Sequence, residues 1–448
     1  MRLAVQSIQS TSSPPLFNGS STHLHVPPPH GRYGRHLSKE QVAELVAPPP
    51  DVIELVHAWL GHHNVHPSTI SSTHGSSWLT LSNVPVSRAN VILSASYQLY
   101  QHIGTNETVL RTVSYGLPAA LLAHVQTVAP TTHFGLPLTP SQKSLMYSGG
   151  ETGASEKEAV GERGTESLSG RDQYYVTPPS LRWQYQTLGY VPSATHRNVF
   201  GVAGYMGEYP NPDDFKLFMN IYRADGGSAI FTVVEVNGGG YKPDKPGDEA
   251  SQNVQYAVAM AYPTTTVFYS TGGKTTYRQD DSFINWFHYV LSRTNVPQTI
   301  TTSYGFVEYM VPPDYAVFVC NLIAMLGLRG ASVLFSSGND GVGDGNCLVD
   351  NGSGTKYVRF HPNFPSTCAC GTRFLWLKAL TCTSLFSGPW VTSVGGTTGF
   401  NPEVAVSFSG GGFSNYFPRP RYQDYAVPTY LQYLGSTHHG LYKCVRYP

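Results

Sequence analysis

Residues 298–337 read QTITTSYGFVEYMVPPDYAVFVCNLIAMLGLRGASVLFSS. Gln298–Gly305 is a short run rich in β-branched residues that ends in Ser, Tyr and Gly. Pro313–Leu328 is apolar and too long for an ordinary strand, so it reads as a helix. Ala331–Ser337 is short and apolar again. Strand, helix, strand implies a parallel pair with a helical crossover. The same alternation runs upstream. Strand candidates lie at 198–205, 229–236 and 264–270, with helix candidates at 212–222, from Asp248, and at 282–291. Strands that are apolar almost throughout, alternating with helices, predict a parallel sheet covered on both faces.

The N-terminal third has a different rhythm. Order is expected to begin near Tyr33. Ser38 with Gln41 forms a capping box for a short helix through Val46, and a second helix follows Asp51. Ser77–Leu81 reads as a strand, Val86–Tyr100 as a helix, Leu110–Tyr115 as a strand and Pro118–Val128 as a helix. Together they make a small α+β unit. From Gly135 to about Asp172 the text turns polar, as in SGGETGASEKEAVGERGTESLSGRD (148–172), and reads as a linker open to limited proteolysis. The division expected is 1–134, a linker at 135–175, and a larger unit at 176–448.

Composition narrows the function. Lys+Arg and Asp+Glu are 28 each, which argues against nucleic acid or an acidic membrane surface as partner. No apolar run approaches the ~18 residues of a membrane span. Charged residues are only 12%, while Tyr reaches 29 and Phe 20, as on a secreted, hydroxyl-rich surface. The six cysteines include no CxxC pair, which weakens zinc and thioredoxin readings. The start, MRLAVQSIQSTSSPP, lacks the apolar core and cleavage site of a signal peptide. His57, His62, His63 and His66 cluster without a carboxylate or thiol at ligand spacing.

Four segments could carry chemistry. Glu249 and Asn253 stand at i and i+4 on one helix face, a carboxylate beside a polar partner. Ser303 and Gly305 end a buried strand, where ligands of open α/β sheets collect. Ser336-Ser-Gly-Asn339 ends another. The glycine-rich stretches at 390–398 and 407–414 permit close approach of a peptide backbone.

In order, these segments resemble the sedolisins, the serine-carboxyl peptidases, and most nearly their tripeptidyl-peptidase branch with an activation prodomain. The resemblance is carried by YGRHLSKEQVAELVAPPPDVIELVHAWL (33–60) and LRTVSYGLPAALLAHVQTVAPTTHFG (110–135) on the prodomain side. On the catalytic side it is carried by TTSYG (301–305), LFSSGNDGVGDG (334–345), FHPNFPSTC (360–368) and PWVTSVGGTTGFNPEVAVSFSGGGFSNYFPRP (389–420). It implies a subtilisin-like parallel sheet flanked by helices, preceded by an α+β prodomain. It implies a Ser-Glu-Asp site with a further Asp at the oxyanion hole, acting on peptides or proteins outside the cell. The motif E-A-x-x-D-x-Q-Y falls on Glu249–Tyr256, so Glu249 takes the base role and Asn253 stands where the family has Asp. S-S-G-D falls on Ser336–Asn339, putting an amide at the oxyanion position; a one-residue slip would put Asp340 there. Ser303 and Gly305 would lie along the substrate backbone.

The family's nucleophile motif, S-G-T-S-x-S, has no counterpart among the 448 residues. Calcium is implied by the resemblance, but its ligands are expected beyond Pro448. The expectation is therefore a chain cut at both ends and inactive as written. The alternative is a pseudopeptidase that binds peptides. The resemblance also implies a Cys347–Cys368 bridge, and it marks Ala369–Gly388 as an insertion foreign to the fold.

Overall fold

The computed structural model describes residues 1–5, 34–73, 75–103, 106, 108–135, 176–195, 197–275, 278–279, 281–343, 347–350, 356–368, 390–400, 402–438 and 440–442. The expectations for the linker at 136–172 and the insertion at Ala369–Gly388 fall outside these residues.

The N-terminal unit comprises β1 (Arg2–Val5), α1 (Lys39–Val46), α2 (Pro50–His62), β2 (Ile70–Thr73), β3 (Trp78–Leu81), α3 (Val86–Ile92), β4 (Gln98–Gln101), β5 (Thr108–Arg111) and β6 (Val125–Ala129). α1 has the expected cap: Ser38 accepts from Gln41 N, and the Gln41 side chain accepts from Ser38 N. Three expectations are corrected. Order begins at Arg2, not near Tyr33, because β1 is the inner strand between β3 and β6 of the antiparallel sheet β2-β3-β1-β6. The helix from Val86 stops at Ile92, since Asn90 Oδ1 accepts from Tyr97 N at 2.8 Å and turns the chain into β4. Residues 118–128 give one short 3-10 turn and then β6, because an extended Val125–Ala129 completes the ladder against β1.

The larger unit runs α4 (Pro178–Gln184), β7 (Val199–Gly204), α5 (Pro212–Tyr222), β8 (Phe231–Val236), α6 (Asp248–Ala261) and β9 (Thr265–Thr271). It continues with β10 (Lys274–Thr275), β11 (Arg278–Gln279), α7 (Ser282–Ser292), β12 (Thr299–Thr302), β13 (Phe306–Val307), α8 (Pro313–Leu328) and β14 (Ser332–Ser336). Then come β15 (Leu348–Asp350), β16 (Lys356–Val358), β17 (Asn363–Phe364), β18 (Thr392–Val394), β19 (Thr397–Thr398), β20 (Val404–Ala405) and α9 (Ala426–Leu434). Six strands form one sheet in the order β18-β14-β12-β7-β9-β8, and every pairing is parallel. This is the α/β architecture the alternation predicts. α5 and α6 cover one face through Phe215, Met219, Val254 and Val258. α7 and α8 cover the other through Phe283, Trp286, Val319 and Ile323.

Strand alternation joins the two units. In β1, Leu3 and Val5 point into the N-terminal unit's own core, while Ala4 belongs to the core of the larger unit. Trp78 does the same from β3. It lies flat on Phe318 of α8, with ring centroids 4.8 Å apart, and beside His288 of α7 at 4.6 Å. α8 is thus enclosed by its own sheet on one side and by the N-terminal unit on the other. A helix apolar all round is stable only when so enclosed. Polar contacts edge this surface. Asp314 accepts from Thr127 Oγ1 at 3.0 Å, Leu328 O accepts from Leu37 N at 2.9 Å, and His133 Nδ1 lies 3.4 Å from Asp281 Oδ2.

The expected Cys347–Cys368 bridge is not formed. Cys368 bonds to Cys320, in the middle of α8, with Cα atoms 5.3 Å apart. Cys347 keeps a free thiol directed at Val342 O. The resemblance pointed to Cys347, but Cys320 on α8 is the residue that reaches Cys368.

Candidate active site

In a parallel sheet the carboxyl ends of all strands open on one edge, and loops there gather functional groups. Glu249 lies in the first turn of α6, after Gly247, with Ala250 and Val254 buried against the sheet. The helix dipole favours a negative charge at that place. Burial opposes it and outweighs it: the Glu249 carboxyl is pushed up from 4.5 to about 6. The nearby carboxylate of Glu208 pushes in the same direction, while the side chains of Asn253 and Ser303 pull back.

Asn253 sits one turn along α6, as the spacing predicts. Ser303 follows β12 directly and donates from Oγ to Asn253 Oδ1 at 2.9 Å. A strand end and a helix 50 residues apart in sequence thus meet beside Glu249. Tyr304 is buried behind them, edge-on to Tyr205 with centroids 5.1 Å apart. Gly305 is met by the chain itself, since a Cβ there would lie 2.8 Å from Phe364 O. Only glycine fits so close to β17.

Asn339 is half-buried in the loop after β14. Thr302 is in register with Phe335, so Ser303 and Ser336 leave adjacent strands on the same edge. The Asn339 loop is pinned from three sides. Ser337 N donates to Val394 O at 2.9 Å, Gly410 N to Gly338 O at 3.0 Å, and Gly341 N to Phe408 O at 2.8 Å. Gly338 adopts φ +95°, and a Cβ there would fall 2.2 Å from Asn363 Nδ2. The glycine-rich stretch Ser409–Gly412 therefore packs against this loop. A cavity of about 530 Å³ opens beside it, bounded by Ser337, Thr367, Val391, Gly411 and Leu431. Glu249 and Asn339 do not line that cavity.

Sequence reasoning missed Glu308. Its carboxylate is fully buried and accepts from Ser414 Oγ at 2.5 Å, Asn415 N at 2.6 Å and Asn415 Nδ2 at 3.2 Å. Burial raises its pKa, and these bonds restrain the rise. It ties Ser414–Phe417 to the end of β13. The only sign in the text was a lone acid in the run FVEYM.

Among the described residues no group of three or more His, Cys, Asp or Glu could hold a metal ion. The described residues therefore do not fit the calcium that the resemblance implies. No helix among them is long and apolar enough to cross a membrane.

Residues 23–134 match the family described as Pro-kumamolisin, activation domain. The chain is similar to tripeptidyl-peptidase SED2 of Arthroderma otae, at 32% identity over 430 residues, covering 93% of this chain and 67% of that protein. It belongs to the sedolisin family. Tripeptidyl-peptidase SED3 of the same organism is also 32% identical, over 93% of this chain and 66% of that protein. The chain thus spans about two thirds of the length of the relatives it matches. A solved Pseudomonas sedolisin, complexed with pseudo-iodotyrostatin, aligns with a TM-score of 0.39 at 18% identity, covering 56% of this chain and 66% of that one.

Proposed function

We propose that these residues carry the base side of a serine-type site that hydrolyses peptide bonds in peptides or proteins under acid conditions. The reading rests on the Glu249 carboxyl, whose pKa is raised to about 6 by burial, at the N-terminus of α6 with Asn253 one turn on. A base titrating there can take a hydroxyl proton in mild acid and return it to a leaving amine. In this reading Asn253 orients Glu249. The Asn339 amide donates to the substrate oxygen as it gains charge, and Ser303 and Gly305 lie along the substrate backbone. A serine oxygen bonds to the carbonyl carbon while its proton passes to Glu249 and the C=O pair moves onto oxygen. Collapse breaks the C–N bond, and the proton follows the amine; water then repeats the sequence on the ester.

Tripeptidyl release from a free amino terminus follows the named relatives; internal cleavage is the other form of the same chemistry. The prodomain is the internal partner, and an extracellular location follows the same resemblance.

A second reading, an inactive peptide-binding protein, is favoured by the amides Asn253 and Asn339 at family carboxylate positions. One experiment separates the two. The 448-residue chain and a longer product of the same gene are assayed on peptides from about pH 3 to about pH 7, the range in which carboxyl bases titrate. Hydrolysis by the longer form alone, lost in Glu249→Gln, supports the peptidase. No hydrolysis by a folded longer form supports the binding protein.

A further inference from the structure

Ser303 leaves β12 beside the base, and its bonding gives it a task besides lining a substrate. Its hydroxyl donates its one hydrogen to Asn253 Oδ1 at 2.9 Å, and the Asn253 side chain in turn hydrogen-bonds to Glu249. An ionised carboxylate can only accept, and an amide has one accepting end and one donating end. With its oxygen engaged by Ser303, Asn253 is left to present its NH2 to Glu249.

We propose that Ser303 is a positioning residue for the base, fixing which end of the Asn253 amide faces Glu249. The proposal rests on the peptidase reading and specifies how its base is set. The two ends of an amide have nearly the same shape, so packing alone discriminates poorly between them. Turned round, the oxygen of Asn253 would face the carboxylate oxygens, which is repulsive unless Glu249 holds a proton. A carboxylate at position 253 could face Glu249 closely only by sharing a proton with it, which requires acid. An amide held by Ser303 donates at every pH, so the base need not share one.

The surroundings make these hydrogen bonds decisive. The groups facing Glu249 are the Glu208 carboxylate, from the turn before α5, and the buried Tyr304 hydroxyl after β12; Asp248 precedes it on its own helix. None of them brings a positive charge. The Asn253 NH2, held in place by Ser303, is what counters burial and the Glu208 charge.

The test follows the Glu249 carboxyl by carbon NMR in the folded 448-residue chain, titrated from about pH 4 to about pH 8, with Glu249→Gln to assign the signal. In the parent chain the midpoint is expected near 6. Ser303→Ala should raise it by about one pH unit, the weight of one hydrogen bond to a charged group. Ser303→Thr should restore it. Ser303→Cys, which keeps the volume but donates weakly, should raise it by less and serves if the alanine form does not fold. An unchanged or lowered midpoint in folded Ser303→Ala or Ser303→Cys overturns the proposal, as does failure of Ser303→Thr to restore it. Turnover is not read. A longer form that hydrolyses peptides while the Ser303 series stays flat removes the positioning role alone. A responsive series with no hydrolysis removes the peptidase reading and leaves the positioning.

Discussion

Glu249→Gln should change stability in a pH-dependent way whose sign is fixed by the site. The folded carboxyl titrates at about 6 and the unfolded one near 4.5. The folded state therefore holds the proton more tightly, and stability falls as pH rises from about 4.5 through about 6. The difference, about 6 less 4.5, corresponds to roughly 2 kcal/mol at ~1.4 kcal/mol for each pH unit. Glutamine keeps the shape and an accepting oxygen for the Asn253 amide but cannot ionise. Relative to the parent, it should gain up to about 2 kcal/mol between about pH 4 and about pH 7.5. The carboxyl of Glu308 is also raised by burial, but it is present in both proteins and cancels in the comparison. Urea unfolding of parent and variant at the two pH values measures the effect. An equal stability difference at both, or one that favours the parent at the higher pH, would show that burial does not hold the carboxyl up. The electrostatic ground for Glu249 as base would then be gone.

Three further outcomes follow from separate parts of the fold. Cys320→Ser removes a bridge spanning 48 residues and should cost about 4 kcal/mol, whereas Cys347→Ser should leave the melting temperature nearly unchanged; mass mapping of a Cys347–Cys368 link would contradict this. Trp78→Ala removes a ring packed on Phe318 and His288, and should cost roughly 3–5 kcal/mol and bring earlier proteolysis of the prodomain; an unchanged digestion course would refute the contact. Asn339→Asp in an active, longer form should move the alkaline limb of the rate profile downward, because a carboxyl donates only when protonated and an oxyanion donor is worth about 2.7–4 kcal/mol. Coincident profiles would count against Asn339 as that donor.

Much of the larger unit was legible because local and global signals agree. Asn211 announces α5, and its Oδ1 accepts from Asp213 N at 2.7 Å and Asp214 N at 2.9 Å. The strand texts are apolar on both faces because both faces are covered. The prodomain was less legible because its strands are short and depend on partners. Arg2–Val5 has only four residues, too few for a period to register, yet it is flanked by strands on both sides. Val125–Ala129 follows a short 3-10 turn in sequence and is drawn into the ladder by β1. In the site, the i, i+4 spacing of Glu249 and Asn253 was readable from the text. Ser303 meeting Asn253 was not, since it depends on how β12 and α6 cross.

The contact between the two units combines an aromatic centre with polar pairs, a build that would tolerate separation. Its centre is apolar and aromatic, with Trp78 against Phe318. Its edge is a set of hydrogen bonds in which the larger unit supplies carboxylates and amides. Asp314 accepts from Thr127, Asn321 donates to Gln126 Oε1 at 3.2 Å, Asn285 accepts from Arg2, and Asp281 meets His133. A permanent core would carry apolar groups there, since a buried polar pair contributes little net stability and costs much when one partner is lost. Groups that water can satisfy after separation avoid that cost. Asp281 illustrates the point. Burial alone would raise its carboxyl, but His133 and the Ile284 N–H of its own helix together hold it below the ordinary range. Were the N-terminal unit removed, the Ile284 bond would stay, because Asp281 caps α7. The start of α7 would therefore keep its cap, and only the N-terminal unit's half of the contact would be exchanged for solvent.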